Sequence, residues 1–180
     1  MEVKEIHLNG ALVIQPRVFY DERGYFFESY NRDSFIKAGI DEVFLQDNQS
    51  LSQKGAVRGL HFQAPPFAQG KLVRVTRGAV YDVIVDIRKN SPTYGRHFGI
   101  ELNEENFTML WIPAGFAHGF STLKDNTLFQ YKCTQVYNKP SEGGLLWNDK
   151  DLNIDWKVNE PILSEKDLLN PGLKEFNSPF

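Results

Sequence analysis

At 180 residues the chain is long enough for one domain with a substantial core and too short for two, so one unit over residues 1–180 is expected. Hydrophobic residues make up 41% and charged residues 24%, and the net charge of −3 gives no support for a broad nucleic-acid-binding surface. The single cysteine, Cys133, excludes an internal disulfide; the charged opening Met1-Glu2-Val3-Lys4-Glu5 is no secretory signal, and no apolar run approaches the roughly 20 residues that span a bilayer, so a soluble cytoplasmic protein with no membrane partner is expected.

The chain reads as many short strands. Ala11 to Phe19 is the first, with Pro16 at an edge or break because proline cannot donate to a ladder. Gly24 then turns into Tyr25-Phe26-Phe27-Glu28-Ser29-Tyr30. Asp33 to Ala38 is the one early helix, with Gly39 as its stop. Strands follow at Val43 to Ser50, Ala56 to Phe62, Lys71 to Arg77, Ala79 to Ile87, Gly95 to Leu102, Phe107 to Ile112, Gly119 to Leu123 and Thr127 to Val136. Ser164-Glu165-Lys166-Asp167 has the form of a capping box with Ser164 as N-cap, Asn170-Pro171-Gly172 ends that short helix, and the tail 173–180 is draped or frayed. Strands at this spacing predict an all-β sandwich or barrel rather than alternating α/β units.

Alternation sorts side chains onto faces. Lys71 shares a face with Val73 and Val75, and Leu72, Arg74 and Thr76 form the more polar one. Tyr131 falls in phase with Phe129 and Cys133, and His118 with Phe116 and Phe120. Gln46 and Asn48 share a face. Strict alternation sets Arg58 and His61 on opposite faces, so one site needs a bulge, which Gly59 makes easiest. Taken singly, each of these groups also has a plain reading: a strand histidine, a core tyrosine, a capping Asp167, a solvated Lys166, a turn Arg23, a solvent-facing Glu28.

Pro113-Ala114-Gly115-Phe116-Ala117-His118 resembles the second motif of the cupins, which implies a jelly-roll barrel able to hold a small ligand. Metal-binding cupins carry a His-x-His pair, whereas this chain has His61-Phe62-Gln63, so no metal and no cofactor are expected. Six stretches together carry a closer resemblance: Asp21-Glu22-Arg23-Gly24-Tyr25-Phe26-Phe27-Glu28, Gln46-Asp47-Asn48-Gln49-Ser50, Arg58-Gly59-Leu60-His61-Phe62-Gln63, Gln69-Gly70-Lys71-Leu72-Val73-Arg74-Val75, the Pro-x-Gly-x-x-His turn and Ser164-Glu165-Lys166-Asp167. In that order they are similar to the dTDP-4-dehydrorhamnose 3,5-epimerase family, over about residues 10 to 172.

The resemblance implies epimerisation of a dTDP-4-dehydro-6-deoxyhexose at the two carbons flanking its ketone. It assigns His61 as base, Asp167 as its orienting partner, Tyr131 as acid and Lys71 as the cation at the ketone oxygen. It assigns Arg23, Glu28, Gln46, Asn48, Arg58, His118, Glu142 and Lys166 to substrate binding, and Phe26 and Tyr137 are candidates to stack or pack on the base or sugar. It also implies a homodimer with an exchanged N-terminal strand, for which Ala11 to Phe19 is the candidate. A single-carbon epimerase, a 3,4-ketoisomerase and a non-catalytic sugar-nucleotide-binding cupin share most of these features and stay open on sequence.

Overall fold

The computed structural model describes residues 1–180. In chain order the strands are β1 (Glu2–His7), β2 (Ala11–Gln15), β3 (Phe19–Asp21) and β4 (Gly24–Phe26). After the helix α1 (Arg32–Lys37) come β5 (Gln46–Ser52), β6 (Val57–Gln63), β7 (Lys71–Arg77), β8 (Ala79–Asp86) and β9 (His97–Asn103). β10 (Met109–Ile112), β11 (Phe116–Thr122), β12 (Thr127–Cys133) and β13 (Glu142–Gly144) complete the set. Single 3-10 turns occupy Lys139–Ser141 and Lys166–Leu169. No helix is long and apolar enough to cross a membrane.

Two antiparallel sheets form a jelly roll, in the orders β1-β2-β10-β7-β12-β5 and β13-β6-β11-β8-β9, with β3–β4 as a separate hairpin. Between them lies a core of Val73, Val75, Val80, Ile84, Leu110, Phe120, Phe129 and their neighbours. The outer faces are also covered. Leu145, Leu152 and Trp156, with Phe176 and Phe180, pack on the five-stranded sheet, and Phe35 of α1 and Ile40 pack with Leu72, Met109 and Trp111 on the six-stranded one. This double cover explains why β8 is buried at almost every position instead of alternating. It also corrects the polar face expected for β7, since Leu72 is 4% exposed and Arg74 stacks over the Phe27 ring at 5.3 Å.

Local chemistry sets the differences at the element ends. Pro16 ends β2 at Gln15, so Ala11 to Phe19 is not one strand, and Phe19 starts β3. β2 is hydrogen-bonded on both sides within its own chain, to β1 and to β10. The helix starts one residue earlier than expected because Asn31 caps it, its side chain accepting from the Ser34 N–H at 3.2 Å. β5 begins only at Gln46, where pairing to Cys133 of β12 begins. The tail is docked: the Ser178 hydroxyl donates to the Ile87 carbonyl, and Phe180 accepts from the Lys89 N–H at 3.1 Å.

At the end of β8, Asp86 has no exposed surface and ties the β1–β2 turn to the barrel. Arg88 donates to both its carboxylate oxygens at 2.8 Å and, from Nη2, to the Leu8 carbonyl at 2.7 Å. Burial opposes ionisation of Asp86, but Arg88, Ser91 and Thr93 outweigh it and hold the carboxyl below the ordinary carboxylate range. Its stabilising contribution is therefore complete above about pH 4, the ordinary value of an unfolded aspartate, and fades as pH falls through the lowered folded value. Asp86→Ala should cost about 3 kcal/mol in urea unfolding at neutral pH. The gap to the parent should narrow in acid, and a gap independent of pH would refute the account.

Candidate active site

The site is built on β6. Between β11 and β6 the register runs from His118 opposite His61 to Phe120 opposite Arg58, so β6 carries one extra residue. Gly59 sits at φ +130° inside that bulge, and a Cβ there would fall 2.5 Å from the Gly119 Cα. The bulge turns Arg58 and His61 into one cavity of about 530 Å³, as alternation alone forbade.

His61 Nε2 lies 2.5 Å from Asp167 Oδ1. Asp167 is 3% exposed, and it also accepts from Ser164 and from the Gly59 backbone. Burial opposes its ionisation, but His61 and these donors prevail and keep it below the ordinary carboxylate range. A carboxylate there demands a proton on Nε2, which leaves Nδ1 with the lone pair of a base. Asp167 is the second residue of the turn Lys166–Leu169, whose N-cap is Glu165 and not the expected Ser164; its N–H still donates to the Ser164 hydroxyl oxygen at 3.3 Å, and its own side chain points inward to the histidine.

Tyr131 and Lys71 enter from the opposite sheet, on β12 and β7. Tyr131 pairs across to Asn48 and Val73, and its hydroxyl has no partner within the chain. Burial and the neighbouring Cys133 push its phenol upward, against Arg58, so it keeps its proton. The Lys71 ammonium lies 6.0 Å from the Tyr131 ring centroid and makes no ion pair within the chain. Burial lowers its pKa, while Cys133, Asp82 and Glu142 oppose that fall. His118 is buried, with Nε2 at 2.9 and 3.1 Å from the two oxygens of Asp82.

A second cavity of about 330 Å³ adjoins the first and adds Gln46, Tyr137 and Glu142. Both cavities include Asn48, His61, Lys71 and Tyr131, so these groups stand at the middle of one groove. Gln46 donates to Asn48 Oδ1 at 3.0 Å and accepts from the Tyr137 N–H at 2.8 Å. Glu142 pairs with Lys166 and accepts from the Tyr137 hydroxyl at 3.0 Å. Arg58 donates from Nε to Ser52 Oγ at 3.1 Å, which fixes one edge of its guanidinium. No group of three or more His, Cys, Asp or Glu side chains gathers where it could hold a metal ion.

The family model described as dTDP-4-dehydrorhamnose 3,5-epimerase matches residues 5–175. This chain belongs to that family. Among its relatives is a dTDP-4-dehydrorhamnose 3,5-epimerase from Shigella flexneri, 52% identical over 169 residues and 93% of each chain. The crystal structure of a 3,5-epimerase from Legionella pneumophila, in complex with dTDP-4-keto-L-rhamnose, superposes with a TM-score of 0.94 at 43% identity, covering 98% of this chain and 94% of that one. A 3'-monoepimerase from Streptomyces bikiniensis, in complex with dTDP-quinovose, gives 0.87 at 35% identity, covering 92% and 84%.

For a member of the dTDP-4-dehydrorhamnose 3,5-epimerase family, eleven of the fourteen residues expected in the site line this groove. Arg23, Phe26 and Glu28 do not. Arg23 is at the tip of the β3–β4 hairpin, tied to Asp21 at 2.5 Å, and its side chain is 85% exposed. Phe26 and Glu28 line a separate hollow with Met1, Arg17 and Phe19. The physical reason is that β3–β4 pairs with neither sheet, so its side chains follow the hairpin and not the barrel. Phe120 and Phe129 line the cavity, and Asp82 lies behind it against His118, all three without a role expected from sequence. Asp82 carries a signal even so: it is a lone carboxylate inside the apolar run Val80-Tyr81-Asp82-Val83-Ile84-Val85.

Proposed function

We propose that this chain epimerises dTDP-4-dehydro-6-deoxy-D-glucose at carbons 3 and 5, giving dTDP-4-dehydro-L-rhamnose. The observation that carries this reading is that His61 and Tyr131 stand on opposite sheets and line the same cavity. A sugar ring between them meets a base on one face and an acid on the other, which is what inversion beside a ketone requires. His61 Nδ1 takes the acidified C–H proton, and the electron pair moves onto the ketone oxygen as an enolate. Lys71 supports that negative charge. Tyr131 then delivers its hydroxyl proton to the carbon from the other face. Asp167 holds the imidazole in place and steadies its positive charge, as in hydrolase triads. Before the second carbon reacts, the imidazolium gives its proton to solvent and the phenolate regains one.

Arg58 and Lys166, at the rim of the cavity, suit the diphosphate, and Gln46 and Asn48 offer amides to the nucleoside or sugar. A homodimer accounts for the three residues outside the groove. The β3–β4 hairpin projects Arg23, and its Tyr20, Tyr25 and Phe26 are 70, 56 and 67% exposed, which suits an arm lying against a second copy. β2 is already paired on both sides, so this hairpin and not the strand from Ala11 is the proposed arm. A cytoplasmic site of action fits the lone, reduced thiol of Cys133.

The test is mass spectrometry of dTDP-4-dehydro-6-deoxyglucose after brief incubation with the protein in heavy water. Two solvent deuteria in the sugar are expected. One would replace this reading with a single-carbon epimerase, a chemistry borne by the Streptomyces relative on the same fold. None, with the nucleotide sugar bound, would leave a binding protein.

A further inference from the structure

Asp82 is the one buried carboxylate near the site that the reaction leaves without a part. It has no exposed surface, yet its sole side-chain partner is His118 Nε2, at 3.1 and 2.9 Å from its two oxygens. The other buried carboxylates are better supplied: Asp86 has Arg88, Ser91 and Thr93, Asp149 has the N–H groups of Asp151, Leu152 and Leu173, and Asp167 has His61, Ser164 and the Gly59 N–H. A carboxylate offers about four acceptor positions, and one imidazole N–H leaves most of them empty. On β7 of the other sheet, Lys71 lines the same cavity as His118 and is a cation without an ion pair of its own. Each charge lacks what the other supplies.

We propose that Asp82 is a positioning residue that never touches substrate: it fixes His118 in its neutral Nε2–H form and balances the Lys71 ammonium, so that one cation alone faces the ketone. This inference rests on the epimerase reading above. The groups facing Lys71 and Asp82 are Arg58 and His61 from β6, His118 from β11, Tyr131 and Cys133 from β12, Glu142 from β13, and Asp167 from the turn after Ser164. Burial pushes His118 below its ordinary value against the pull of Asp82, and Lys71 and His61 push it the same way, so the imidazole stays neutral. Burial acts on Lys71 in the same direction, with Asp82 among the groups that resist it. The two groups that can end activity in alkali are thereby set apart. Tyr131 is raised and Lys71 lowered, so the two shift in opposite directions. Asp82 is among the groups acting on Lys71 and not among those acting on Tyr131.

The experiment is a pH profile of kcat for Asp82→Asn, which keeps an acceptor for His118 and removes the charge. The alkaline limb should move toward acid, by about one pH unit or more, because losing an opposite charge nearby lowers the pKa of an ammonium. The deficit against the parent should therefore widen with pH, while the dissociation constant for dTDP holds. An alkaline limb that stays in place, with turnover lowered evenly or not at all, overturns the proposal. Should the variant not fold, imidazole nitrogen NMR of the parent protein decides the matter: a neutral His118 protonated on Nε2 throughout pH 6 to 9 is expected, and an imidazolium or the Nδ1–H form in that range overturns the proposal. This second readout needs no turnover, so it separates failure of the inference from failure of the epimerase reading.

Discussion

His61→Asn should lower turnover by about 100- to 10,000-fold and remove deuterium exchange at both carbons together. The asparagine amide keeps a donor for Asp167, which otherwise becomes a buried carboxylate short of its closest partner, at 2.5 Å. The fold and the affinity for dTDP should accordingly survive, and calorimetric titration with dTDP checks both. What disappears is the lone pair on Nδ1, the only free imidazole nitrogen lining the cavity besides that of His118. Tyr131→Phe should behave differently. Its base is intact, so the sugar still exchanges hydrogen with solvent, but on one face only, and inversion falls much further than exchange. Inversion by His61→Asn within tenfold of the parent would remove His61 from the role of base.

Gly59→Ala should abolish the site by a different route. At φ +130° an L-residue is strained, and the new Cβ would lie 2.5 Å from the Gly119 Cα and 2.9 Å from the His118 carbonyl oxygen. Both neighbours are backbone, so no side-chain rotation relieves the contact. The strain and the overpacking each cost about 1–3 kcal/mol, and the relief available is separation of β6 from β11. Gly24→Ala makes the fitting control, since Gly24 has the same φ of +130° with nothing within 4 Å. The urea midpoint should fall clearly further for Gly59→Ala than for Gly24→Ala, with activity lost at position 59. Equal midpoints would show that the β6–β11 contact tolerates a side chain.

Much of the fold is legible in the chain. Lys71 to Arg77 stands with both ends in place, because a run of alternating β-branched residues ends at a glycine. β1 is hidden, since Glu2-Val3-Lys4-Glu5-Ile6-His7 is polar and sits at a sheet edge, paired on one side only. β13 is three residues, Glu142-Gly143-Gly144, whose strand character comes from pairing with β6 and not from propensity. In the site, alternation places Lys71 and Tyr131 on inward faces and sets His118 in phase with two buried phenylalanines. It fails between Arg58 and His61, where a bulge breaks the period of two, and glycine is the one trace of that bulge in the sequence. Arg23, Phe26 and Glu28 rest on resemblance, and the order of motifs along a chain carries no information on which cavity a free hairpin faces.

The segment after β13 crosses the outer face of the five-stranded sheet, and it brings Asp167 to His61 on its way. Both sheets are complete by Gly144, so the barrel's inner core is supplied before that carboxylate leaves the ribosome. The same segment also walls the cavity with Ile162, Leu163, Ser164 and Lys166, so one stretch of chain supplies both the histidine's partner and the enclosure it works in.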